Sequence, residues 1–202
     1  MTNPASEPTT HPLTSSLLVL YGAVDASTIN QNDLNDWWTN EHLPERLRLP
    51  GFEHARRYRR LSSLSGPDGQ TEYLALYSVT HLSQLASNEY AKKLENPTPR
   101  TMEFMPCLAG MTRVAGNVVM RASTSQSLQV QRAAGTGYYL GVLEFATGRS
   151  GGMGEEAFTE AILHEILQLN AADIAEILLV QEDVKITQAG SKSKSYKDVQ
   201  FS

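Results

Sequence analysis

The stretch Asn32-Asp33-Leu34-Asn35-Asp36-Trp37-Trp38-Thr39-Asn40-Glu41-His42-Leu43-Pro44-Glu45-Arg46-Leu47-Arg48-Leu49-Pro50 reads as a helix followed by a turn. At 100° per residue, Leu34, Trp37, Trp38, Glu41 and His42 fall within roughly 140° of arc. Asn35, Asp36, Thr39 and Asn40 lie outside that arc and are free to face water. Two polar groups on an otherwise apolar face are costly to bury unless they find partners, so Glu41 and His42 are the first place to look for chemistry. Asn30 or Asn32 can cap the helix, and Asp33 and Asp36 suit its N-terminal end. Pro44 disfavours helix at Leu43, which predicts an end soon after His42.

Outward from this helix the chain alternates between strand and helix patterns. Leu17–Val24 reads as a buried strand, Phe52–Leu61 as a second beyond the Pro50-Gly51 turn, and Glu72–Val79 as a third. Leu82–Glu95 reads as a helix, with Leu82, Leu85, Ala86, Tyr90 and Leu94 near one face. Asn96-Pro97-Thr98-Pro99 breaks it, and Thr112–Arg121 reads as a last strand. The order β-α-β-β-α-β is that of a ferredoxin-like α+β unit with both helices on one side of the sheet. Apolar residues on both sides of the strands predict that the other side is covered too, most simply by another such sheet.

Residues 1–16, rich in Ser, Thr and Pro, read as a disordered tail, and 122–136 as a linker. Beyond it a strand (137–146), a glycine-rich loop (148–154), a helix (155–170), a strand (175–186) and the start of another (197–201) suggest a degenerate, incomplete second repeat over 137–202. Aligning Phe158 with Leu34 places Ala161, Ile162, Glu165 and Ile166 at Trp37, Trp38, Glu41 and His42. The glutamate recurs and the histidine does not, which separates a shared scaffold from something particular to the first helix.

The run Asp36-Trp37-Trp38-Thr39-Asn40-Glu41-His42-Leu43-Pro44-Glu45-Arg46, followed by Leu49-Pro50-Gly51-Phe52 and Ala55-Arg56-Arg57-Tyr58, resembles the EthD-like branch of the dimeric α+β barrel superfamily. The likeness continues through Tyr73-Leu74-Ala75-Leu76-Tyr77 and Glu95-Asn96-Pro97-Thr98-Pro99, and spans roughly residues 17–121. It implies two ferredoxin-like units facing each other sheet to sheet, with a pocket between each sheet and its helices, and a homodimer as the simplest assembly. In several enzymes of the superfamily a histidine on the first helix is the acid or base, assisted by a strand tyrosine. His42 carries over directly, while Tyr58, Tyr73 and Tyr77 all compete for the second role.

Bulk properties narrow the classes. With 41% hydrophobic and 19% charged residues over 202 positions, the composition is that of a globular protein able to bury a core. A formal charge of −5 gives no reason to propose a nucleic-acid partner. Lone Cys107 excludes an intrachain disulfide and reads as a small apolar core residue. No apolar run of about 18 residues is present, so no membrane span is expected, and a cytoplasmic location is the simplest expectation. His42, His54, His81 and His164 show no metal-ligand spacing, and 148–154 lacks the dinucleotide-binding pattern, so neither metal nor organic cofactor is predicted.

For His42, an imidazole that titrates near neutrality suits general acid–base work. Glu41 diverges from it by about 100° and reads instead as a structural carboxylate bonded to backbone or to an arginine. Strand alternation puts Phe52, His54, Arg56 and Tyr58 on one side of the second strand. If that side faces the pocket, His54 and Tyr58 are candidates to position a substrate oxygen. Arg56, in the basic run Arg56, Arg57, Arg59 and Arg60, is a candidate to hold an anionic or carbonyl group of a ligand. Tyr73, Ala75 and Tyr77 share a side of the third. Tyrosines there are core residues with satisfied hydroxyls or donors to a developing oxyanion. Trp38 is core, a ligand platform, or both. Taken with the EthD-like resemblance, His42 on an apolar face implies a cofactor-free lyase, cyclase or isomerase acting on a hydrophobic aromatic or polyketide-like carbonyl compound. Alternatives are a non-catalytic small-molecule-binding or assembly module and a cofactor-free oxygenase.

Overall fold

The computed structural model describes residues 9–10, 16–24, 29–60, 71–108, 110–123 and 176–191. The described residues include six strands: β1 (Thr9–Thr10), β2 (Ser16–Val24), β3 (Phe52–Arg59), β4 (Thr71–Val79), β5 (Gly110–Ser123) and β6 (Glu176–Glu182). All pairings are antiparallel, in the order β6-β5-β2-β4-β3, and β1 pairs with the far end of β5 on the side that β2 occupies. This α+β arrangement is compatible with a ferredoxin-like plan over β2 to β5. The strands proposed at 137–146 and 197–201, the glycine-rich loop and the helix at 155–170 lie outside the described residues.

Alternation sorts the sheet into two faces. Leu18, Leu20 and Val24 of β2, Tyr73, Ala75, Tyr77 and Val79 of β4, and Met111 and Ala115 of β5 share a core with the helices. Leu17, Leu76 and Val118, with half-buried Val19, Leu74, Leu178 and Val180, form a second apolar cluster on the opposite face.

The first helix differs from the expected one. It runs as α1 (Gln31–Asp36), a π-helical turn (Trp37–His42) and α2 (Leu43–Leu47). Asn30 caps it, its Oδ1 accepting from the Asn32 N–H at 2.9 Å. Helix therefore continues five residues past His42. Pro44 lacks an N–H and would press on the carbonyl four residues back in a regular α-helix. The wider turn ahead of it, in which the Leu43 N–H donates to the Trp38 carbonyl, accommodates that demand.

Other expected boundaries also move. The helix predicted over Leu82–Glu95 is a 3₁₀ segment (Leu82–Ala86) and then α3 (Asn88–Glu95), divided at Ser87, whose Oγ accepts from the Tyr90 N–H. The Asn96–Pro99 break opens a further helix, α4 (Pro99–Phe104), with Thr98 as N-cap and proline at its first position, leading into a 3₁₀ turn (Met105–Leu108). The strand expected over 175–186 stops at Glu182. Asp183 caps α5 (Val184–Ser191), accepting from the Ile186 N–H at 3.0 Å. Thr9–Thr10 join the sheet from within the expected disordered tail, and Ala122 and Ser123 belong to β5 rather than to the linker. The long β5 offers an edge that a β-branched threonine pair can extend.

Two glycines are dictated by geometry. Gly51 has φ +78°, which its turn between α2 and β3 requires, and its carbonyl accepts from Thr80 at 2.8 Å. A side chain at Gly116 would collide with the backbone of Gln181 on β6.

Candidate functional site

Trp37, Trp38, His42 and Leu43 are all buried under the helical layer. The Trp37 ring stacks on Phe104 at 5.3 Å and tilts against the His42 ring at 4.8 Å, while its indole N–H donates to Thr101 at 3.3 Å. Glu41 turns the other way, as expected. It is half-buried, accepts from the Thr98 hydroxyl at 2.7 Å, and pairs with Arg100 at 3.3 Å. The carboxylate thus ties the first helix to α4 and leaves the imidazole as the polar group that enters the core.

His42 lines a small cavity between helices and sheet, together with Leu18, Leu20, Trp38, Arg46, Tyr77, Tyr90, Met105 and Leu108. The cavity holds about 10 Å³, room for a single water or a single oxygen-sized atom. Three of the residues around it carry buried polar atoms with no hydrogen-bond partner: His42 Nδ1, Arg46 Nη1 and Tyr90 Oη. His42 is 5% exposed, Arg46 3% and Tyr90 1%. Burial, and then the positive charges of Arg46 and Lys93, hold the imidazole well below its usual range, so it is neutral at physiological pH. Lys93 is itself ion-paired with Glu45, whereas no carboxylate among the described residues pairs with Arg46. Its guanidinium lies 5.9 Å from the centre of the Tyr90 ring.

Of the residues singled out from sequence, His42, Trp38 and Tyr77 meet at this cavity. Tyr73 shares their face of the sheet but sits beside it, 5.7 Å from the Trp38 ring, its hydroxyl 3.5 Å from Asn35 Oδ1. His54, Arg56 and Tyr58 lie on the opposite face, paired across the strands with Ser78, Leu76 and Leu74. A bulge between Phe52 and His54 shifts the alternation, so Phe52 shares its face with Ala55 and Arg57 rather than with Arg56. Arg57 is therefore the inward arginine of the basic run. It lies over Trp38 and Tyr73, 5.1 and 5.0 Å from the ring centres, and donates to Asn35 at 2.9 Å and Thr39 at 3.2 Å.

Sequence reasoning missed Arg46 and Tyr90. Arg46 stands four residues after His42, the spacing that brings two side chains together on a helix. That relation was hidden by the expectation that Pro44 ends the helix. Tyr90 was read as one apolar contact of the second helix, which it is, but its hydroxyl is left over. Cys107 is buried as expected, its thiol donating to the Phe104 carbonyl. Among the described residues, no group of three or more His, Cys, Asp or Glu converges to hold a metal, and no helix is long and apolar enough to cross a membrane. No protein-family model, no curated protein and no solved structure matches the chain.

Proposed function

We propose that the chain is a cofactor-free acid–base enzyme of the lyase, cyclase or isomerase kind, built on the EthD-like plan and acting on a carbonyl compound at His42. The observation that carries this reading is the buried, neutral imidazole whose Nδ1 has no partner, set at an apolar-walled cavity beside two further unpartnered donors. Leaving each buried polar group unsatisfied costs about 1–3 kcal/mol and contributes nothing to packing. Such a cluster is characteristic of a site rather than of a core. A neutral imidazole can accept the proton from a carbon next to a carbonyl, and Arg46 and Tyr90 can stabilise the oxyanion that develops. Leu18, Leu20, Trp38, Met105 and Leu108 would supply an apolar lining for a hydrophobic substrate.

In this proposal the opposite, apolar face of the sheet packs on a second sheet in a homodimer, which the cluster around Leu17, Leu76 and Val118 supports. The test is hydrogen–deuterium exchange at the α-carbon of an aryl methyl ketone in deuterated water, followed by NMR. His42→Ala should slow protein-dependent exchange about 10²-fold or more with the fold intact. Undiminished exchange in that variant removes His42 from the mechanism. A second reading, a non-catalytic assembly module, is favoured by the size of the cavity, since about 10 Å³ admits an oxygen atom but not a ring. Absence of both saturable aryl ketone binding and exchange above background would select it.

A further inference from the structure

The His42 cavity is unusual in its charge as well as its unpaired atoms. Arg46 is 3% exposed, and a guanidinium keeps its charge when buried. The one carboxylate adjacent to it in sequence, Glu45, is taken up by Lys93. The face of the Tyr90 ring, 5.9 Å away, offers the guanidinium a weak attraction only. A buried charge without a counter-charge is strongly unfavourable, and the ordinary remedy is an opposite charge with matched hydrogen bonds. Nothing among the described residues supplies one. With Lys93 paired to Glu45, Arg46 is the charge that stands uncompensated at the cavity, and it also disfavours protonation of His42.

We infer that the cavity is an oxyanion-binding site, in which Arg46 Nη1 and Tyr90 Oη take one oxygen of a carboxylate-bearing apolar ligand. The size of the cavity suits the oxygen alone, and the buried apolar side chains around it, Leu18, Leu20, Met105 and Leu108, must part to admit the carbon skeleton that follows it. A phosphate is a poorer fit, because its dianion needs more donors than the two that stand unpaired beside His42. This inference rests on the reading of the cavity as a ligand site and adds the ligand's charge to it. Because the same two donors would serve the developing oxyanion of a ketone, a carboxylate competes with the ketone for them, and His42 takes no part in holding it.

Trp38 lines the cavity, so its fluorescence reports occupancy. Titrating the full chain at fixed ionic strength with benzoate should give a saturable change, and benzamide, a neutral molecule of the same shape, should bind at least about tenfold more weakly. Arg46→Met should abolish the benzoate response, and Tyr90→Phe should weaken it about tenfold. Because the benzoate–benzamide comparison uses the native protein, it decides the matter even if Arg46→Met fails to fold. Inorganic phosphate added as competitor should displace benzoate only weakly, and displacement at equal concentration would overturn the carboxylate assignment. Equal binding of benzamide, no saturable response to benzoate, or full benzoate affinity in a folded Arg46→Met variant would each overturn the inference. His42→Ala should still bind benzoate, so loss of ketone exchange without loss of benzoate binding separates the proton-transfer reading from the anion site.

Discussion

At the scale of the residue, His42 is defined by what surrounds it rather than by its own chemistry. Its burial, and the Arg46 and Lys93 charges, favour the neutral imidazole in the folded state. An unfolded chain protonates the same side chain near the ordinary value of 6.5. Below that value the unfolded state binds a proton that the folded state refuses, so stability falls as pH falls. The contribution is complete above about pH 6.5 and is lost progressively below it, at up to about 1.4 kcal/mol per pH unit. Denaturant midpoints at pH 7.5 and 5.5 should therefore differ more for the native chain than for His42→Gln. An equal pH dependence in the two would contradict the buried, neutral assignment. Arg46 teaches a complementary lesson. Nothing in its own identity marked it, since an arginine after a proline-terminated helix is ordinarily solvated. It becomes a site residue through the four-residue spacing that a continuous helix imposes.

At the scale of the element, the first helix is held by contacts that the sequence disclosed unevenly. The polar network running from Trp37 through Thr101 and Thr98 to Glu41, Arg100 and Asp36 fastens it to α4. Thr98 serves this network twice, capping α4 through the Thr101 N–H at 3.1 Å and donating to Glu41 at 2.7 Å. Thr98→Ala should cost about 1–2 kcal/mol, read as a lowered thermal midpoint, while Thr98→Ser should restore most of it. A drop unrelieved by serine would place the effect in the lost methyl group instead. The strands were legible because Leu17–Val24 and Glu72–Val79 are short, largely apolar runs of strand length. Glu41 was legible as a structural carboxylate because its helical phase set it apart from His42. The bulge in β3 was not legible, because one extra residue leaves no compositional mark while reversing every side chain after it. That reversal moved Arg57 inward and sent His54, Arg56 and Tyr58 to the opposite face. The π-helical turn was hidden for a similar reason: proline signals an interruption, but packing selects between ending a helix and widening it.

Across the whole molecule, the sheet has apolar residues on both faces, and the helices account for one of them. The proposed homodimer places a second sheet on the other. Under that proposal the native chain should elute and scatter light as a dimer, and Val19→Lys, a half-buried member of the apolar cluster on the central strand β2, should shift it to monomer. A native monomer at concentrations of tens of micromolar would exclude the sheet-to-sheet assembly as a stable one. The α+β class, the strand and helix order from β2 to β5, and the presence of an acid–base candidate on the first helix were determined by sequence alone. They depend on hydrophobic periodicity and local turn chemistry, which are properties of neighbouring residues. Which polar groups share the cavity was decided only by tertiary structure. Tyr90 reaches the cavity from another helix and Tyr77 from a strand, and Arg46 joins them because packing carries the helix past Pro44. Long-range juxtaposition and burial, on which the charge and protonation of the site depend, leave no local pattern to read.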